Sequence, residues 1–151
     1  MLKVTLTIVL LVILAVASLF FYKAQKSKSG TAPGLVSNQL AQCPTSPNCT
    51  CSEYSEDSSH YAAPINFSGK PAADSFVAVK AAIESLGGKV VVAESHYLAA
   101  TFESGFFGFV DDFEARLDEQ AQLIHVRSAS RVGHSDLGVN LKRVNAVKNA
   151  L

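Results

Sequence analysis

Two stretches of alternating charge hold the residues best suited to chemistry. In Asp111-Asp112-Phe113-Glu114-Ala115-Arg116-Leu117, the two-residue period of a strand sets Asp112, Glu114 and Arg116 on one face and Asp111, Phe113, Ala115 and Leu117 on the other. The same period further on groups His125, Arg127, Ala129 and Arg131 opposite Ile124, Val126, Ser128 and Ser130. Paired antiparallel, the two strands would bring Asp112 and Glu114 to Arg127 and Arg131. One chemistry this allows is anion recognition: Arg127 and Arg131 offer forked donors near a helix start at Asp136, with Asn140 and Arg143 one helical face on. A plainer account needs no ligand: cross-strand ion pairing on a solvated sheet face, where each pair contributes a few tenths to about 1 kcal/mol. A third is acid–base or metal chemistry by Asp111, Asp112 and Glu114 with His125 or His134 nearby. No nucleophile elbow, phosphate loop, dinucleotide fingerprint or His-Glu-x-x-His stretch reinforces that third reading.

The thiols form a second group, in Cys43-Pro44-Thr45-Ser46-Pro47-Asn48-Cys49-Thr50-Cys51. So turn-rich a loop can bring Cys43 and Cys49 together, and a disulfide closing it would stabilise by about 2 kcal/mol on the chain-entropy model. Such a bond needs an oxidising compartment. Zinc held by Cys43, Cys49, Cys51 and His60 is an alternative, but the spacing lacks the paired Cys-x2-Cys pattern of structural zinc. Free thiols in a cytoplasmic loop are another, and a redox-active Cys49-Thr50-Cys51 a further one, without a helix start or basic neighbour to activate a thiol. The expectation is a disulfide, with no metal and no cofactor. A third group is Phe106, Phe107 and Phe109, set among Gly105 and Gly108 as at a turn tip. Three aromatics are costly to leave in water, so they either contact a membrane or partner or turn into the core.

These groups need a scaffold, and periodicity supplies one. Phe76, Val79, Ala82, Ile83 and Leu86 repeat at three and four residues, the stripe of a helix that Gly87-Gly88 ends. Four strand-like runs follow, Lys89–Glu94, His96–Glu103, Phe109–Leu117 and Gln122–Ser130, joined by short connections that favour an antiparallel meander. From Asp136, a natural N-cap, a last helix sets Leu137, Leu141, Val144, Val147 and Leu151 on one side. The reading is an α+β domain of two layers, both helices on one sheet face, in an order like that of TATA-binding-protein-like or helix-grip folds. Pro64–Ser68 is a candidate extra strand.

Ahead of this domain, residues 4–22 carry no charge and match a hydrocarbon core about 30 Å thick, so they read as a transmembrane anchor. A cleaved signal peptide is the rival, with Ala15-Val16-Ala17 as a small-x-small processing site. Residues 23–39, rich in Lys, Ser, Gly and Ala, read as a linker, and residues 40–151 as the single domain. Four of the 13 basic residues, Lys3, Lys23, Lys26 and Lys28, flank the anchor, while all 13 acidic residues lie beyond it, which leaves nine against 13, or −4, on the remainder. An acidic domain neutralises phosphates poorly, so nucleic acid is not the expected partner; the membrane is, with a membrane-protein partner beside it. The lysines after the span favour a cytoplasmic domain and the cysteines an external one; the expectation is a domain on the outer, periplasmic side.

The motifs Cys43-Pro-Thr-Ser-Pro-Asn-Cys49, Phe109-Val-Asp-Asp-Phe-Glu114, Ile124-His-Val-Arg-Ser-Ala-Ser-Arg-Val-Gly133 and Ser135-Asp-Leu-Gly-Val-Asn140 resemble those of the domain of unknown function 1499 family, from about Leu40 to the C-terminus. The resemblance implies membrane attachment or export, which supports the outside placement, and brings no reaction, substrate or cofactor. This chain has Glu103 and Leu141 where the family commonly has arginine, which weakens an anion site carried over from the resemblance. The functional expectation is a membrane-anchored, non-catalytic binding or assembly module of the cell envelope; the alternatives are an enzyme using the carboxylate cluster or a metal, and a thiol-redox protein.

Overall fold

In the computed structural model, which describes residues 2–151, the chain begins with helix α1 (Leu2–Lys28). No residue of its apolar run is buried in the rest of the protein; it is long and apolar enough to cross a membrane, a property that an anchor and a signal sequence share. The small strands β1 (Leu35–Val36), β2 (Gln39–Leu40), β3 (Cys49–Cys51) and β4 (Ile65–Asn66) come next, then α2 (Ala72–Ser85). Strands β5 (Lys89–Ala93), β6 (Tyr97–Glu103), β7 (Val110–Asp118) and β8 (Leu123–Ser130) form the meander, and α3 (Val139–Asn149) ends the chain.

The protein is α+β, and its meander is the one the alternation predicts. Sheet order is β3-β8-β7-β6-β5, all antiparallel, with β4 also pairing along β8. The candidate strand at Pro64–Ser68 is thus β4, whereas β3, inside the cysteine loop, had no alternation to reveal it. The register sets Glu114 opposite Arg127 and Asp112 opposite Ala129.

One sheet face receives the helices. Phe76, Val79 and Ile83 of α2 and Val144 and Val147 of α3 pack on Leu98, Phe113, Ala115, Leu117, Ile124 and Val126. Burying one such side chain contributes roughly 1.5–3 kcal/mol relative to exposure, so this layer supplies the main driving force for folding. Gly87, at φ 87°, takes the left-handed turn after α2. A Cβ on Gly88 would lie 2.5 Å from Ile83 and 2.7 Å from Phe102, so the second glycine is required by packing.

Two expectations for the last helix are corrected. It starts at Val139, not Asp136, with Gly138 rather than Asp136 at the N-cap position, and Leu137 and Leu141 are exposed rather than part of a buried stripe. Leu137 has φ 55° and so cannot continue a helix, and the later start turns Asn140, Val144 and Val147 toward the sheet. Asp136 still serves the helix start, since its carboxylate accepts the N–H of Gly138 (2.9 Å) and of Asn140 (2.7 Å).

The other sheet face also differs from expectation. Residues 23–39, read as a linker, continue α1 to Lys28 and then lie across the sheet as a strap. The Ser37-Asn38 pair, with φ 50° and 63°, makes the tight turn of the β1–β2 hairpin. Leu40 is fully buried against Cys51, Tyr97 and Ala99. A face that charge alternation marks as solvated is therefore covered.

Candidate functional site

Under the strap, side chains of β7 form a row of ion pairs with Arg127 of β8, with Arg131 just after it and with Glu53 just after β3. Arg127 Nη1 donates to Glu114 Oε2 at 2.9 Å. Arg131 makes a two-pronged contact with Asp112, Nε to Oδ2 at 2.9 Å and Nη2 to Oδ1 at 2.7 Å. Arg116 grips Glu53 in the same way at 2.7 and 3.2 Å. The pairing of Asp112 and Glu114 with Arg127 and Arg131 is the one the register predicts, but the charges are nearly excluded from solvent.

Glu114 is the centre of this row. Its second oxygen, Oε1, accepts the Tyr97 hydroxyl at 2.7 Å and the Gly34 N–H of the strap at 3.0 Å. Burial, reinforced by the Glu114 carboxylate, pushes the Tyr97 hydroxyl far above its usual pKa, which keeps it a donor. A carboxylate with an arginine, a phenol and a backbone N–H around it is a structural acceptor. Among the described residues, Arg127 Nε is a buried side-chain nitrogen without a hydrogen-bond partner.

The remaining expected site residues lie on the opposite side of the sheet, so the single anion pocket is divided in two. Asn140 Oδ1 accepts the Ser128 hydroxyl, and its Nδ2 donates to Asn48 O and Ser130 Oγ. Arg143 donates to Asp111 Oδ2 at 2.8 Å and lies over the Phe102 ring, 4.6 Å from its centroid. The cause is parity: Ser128 and Asp111 point to the helix side, Arg127 and Asp112 to the strap side. The three carboxylates considered for acid–base work, Asp111, Asp112 and Glu114, are each committed to an arginine.

Cys43 and Cys49 form a disulfide, and Cys51 is a buried free thiol whose pKa is raised by desolvation. Both ring nitrogens of His60 are occupied, Nδ1 by Asp57 and Ser59 and Nε2 by the Ser46 carbonyl. Among the described residues no group of three or more His, Cys, Asp or Glu side chains is arranged to hold a metal ion.

The phenylalanine tip packs on α1. Phe107 stacks on Phe20 with centroids 5.1 Å apart, Phe109 meets the same ring edge-on at 6.2 Å, and Phe106 stays 89% exposed. Phe107 also shares a recess with Ala17, Ser18 and Phe21, one to two turns inside the apolar run. Just beyond, the end of α1 is joined to the domain: Val110 N–H donates to Ser27 Oγ at 3.0 Å, Arg131 Nη1 to Ser27 O at 3.0 Å, and Lys28 pairs with Glu103 at 2.8 Å. Beside the strap a cavity of about 610 Å³ opens between Lys28–Gly34 and the β5–β6 edge, lined by Val91, Val92, Tyr97 and Thr101.

Sequence reasoning missed Ser27, Gly34 and Glu53, the groups that close the strap face. No periodicity marks them; Leu35, Val36 and Leu40, apolar within a polar stretch, were the available signal.

No curated protein matches the chain. A family model does match it, over residues 39–151, so that α1 and the strap as far as Asn38 precede the matched region, and by that match the chain belongs to the family described as proteins of unknown function, DUF1499.

Proposed function

We propose that this protein is a membrane-anchored, non-catalytic binding or assembly module of the cell envelope, with its domain on the outer, periplasmic side. The observation that carries the reading is the Phe107 stack on Phe20, flanked by Ala17, Ser18 and Phe21: if α1 spans the bilayer, the Phe106–Phe107 tip descends beside it into the apolar layer. The buried Ser27 links hold the domain in that pose, and the cavity beside the strap gives a ligand or membrane-protein partner a place to dock. The Cys43–Cys49 disulfide supports the outside placement. With the carboxylates committed to arginines and Cys51 buried, the enzyme and thiol-redox readings have less support. The order of helix, four-stranded meander and helix we take to be of the TATA-binding-protein-like or helix-grip kind. Arg127, Arg131, Asp112 and Glu114 are in this reading the frame of the site and not its ligand donors.

The chain contains no tryptophan, so Phe106→Trp makes a single reporter. In nanodiscs carrying the full chain, its emission should be blue-shifted and quenched by lipids brominated along the acyl chain. Water-like emission untouched by bromolipid would remove the membrane-contact reading.

A further inference from the structure

A second cavity, of about 420 Å³, lies between the end of α1 and the loops that flank β7 and β8. Its α1 wall consists of Leu19, Phe20 and Lys23. The first two belong to the uncharged run and the third is the first charge after it, so the cavity straddles the boundary between hydrocarbon and headgroups. With α1 across the bilayer, a space at that depth is within reach of lipid.

The opposite wall is chemically specific. Ser104, Ser130 and Ser135 line it, and each hydroxyl accepts a hydrogen bond within the protein, from Phe109 N–H, Asn140 Nδ2 and Leu137 N–H respectively. None of the three donates one among the described residues, so three O–H donors around the cavity are uncommitted. Lys23 has no ion-pair partner among the described residues. Asp111 and Asp136 also line the space, but Asp111 is paired with Arg143 and Asp136 accepts two backbone N–H groups. Lys23 is therefore the cation of this lining left without a partner, while Asp136 keeps its charge turned to the helix start, and His134 adds a further ring nitrogen. Next to this wall, Leu137 is 86% exposed in a left-handed conformation that a leucine rarely adopts. An exposed leucine beside such a cavity is placed to meet acyl chains.

We propose that this cavity binds one anionic phospholipid, with its phosphate on Lys23 and the three serine hydroxyls and its acyl chains along Leu19 and Phe20. The site rests on α1 being retained as an anchor.

The test uses the full chain purified from membranes into neutral detergent. Intact mass first shows whether residues 1–22 are present. Native mass spectrometry then follows titration with phosphatidylglycerol or phosphatidylcholine. One phosphatidylglycerol should bind in preference to phosphatidylcholine, and Lys23→Gln should weaken it about fivefold. Lys26→Gln removes the same charge from the same helix end but outside the cavity, and should change binding less than twofold. Ser104→Ala with Ser135→Ala should weaken it as well, in a chain whose circular dichroism shows the parent fold. Equal losses in the two lysine variants would mean general attraction to a charged surface and overturn the site, as would equal binding of the two lipids. A chain lacking residues 1–22 would overturn the anchor and this site together; a retained segment without lipid selectivity would overturn the site alone.

Discussion

The two faces of the sheet are buried by opposite means. On the helix face, Phe113, Leu98, Ile124 and Val126 meet α2 and α3 through apolar surface, beside the Ser128–Asn140 and Asp111–Arg143 contacts, and each apolar contact gains from leaving water. On the strap face, arginines and carboxylates are covered by a polar segment, and their attraction has to offset the desolvation of both partners. The first face makes the fold stable. The second makes it particular: a strap laid one residue out of place would take the Gly34 N–H from Glu114 and leave a buried charge short of a donor.

This difference can be broken experimentally. The largest effect belongs to the helix face: Phe113→Ala, at a fully buried ring, should cost about 3–5 kcal/mol in equilibrium urea unfolding of the full chain in detergent. Glu114→Ala should cost nearly as much, about 3 kcal/mol, because it leaves Arg127 buried without its partner. The joint change Glu114→Leu, Arg127→Met and Tyr97→Phe should recover much of that loss, since apolar groups of similar volume remove the buried charges and the phenol that Glu114 served, leaving the Gly34 N–H alone without its acceptor. A combined variant as unstable as Glu114→Ala would show that the ion pair itself stabilises and would erase the contrast between the faces. The smallest effect is at the edge of the sheet, where Cys43→Ser with Cys49→Ser should cost about 2 kcal/mol, matched by the effect of reduction on the parent chain.

The helix face was legible because its physics is periodic. Phe76, Val79 and Ile83 announce a helix, and alternation through 110–118 and 123–130 sorts Phe113 and Val126 from Glu114 and Arg127. The pairing of Asp112 and Glu114 with Arg131 and Arg127 followed from the same alternation, and the Cys43–Cys49 bond from the turn residues between the two cysteines. The strap was not legible, because its contacts are single events: one backbone N–H at Gly34, one hydroxyl at Ser27, one leucine at position 40. Composition describes such a segment as flexible and says nothing of what it touches. The division of Asn140 and Arg143 from Arg127 and Arg131 was legible in principle, since residues an odd number apart on one strand cannot share a face; the expectation failed by setting the helix beside the wrong side of the sheet.

Ser27 lies in the last turn of a helix that begins as the apolar run, and it is gripped by both Val110 and Arg131. No swivel separates the two parts of the chain. The domain therefore has a rotational phase relative to the segment before it: one residue inserted between Tyr22 and Ala24 would turn that segment by about 100° and lengthen it by about 1.5 Å relative to the sheet. Seven added residues would nearly restore the original heading, about 10 Å farther out. The length of this helix is in effect an angular setting.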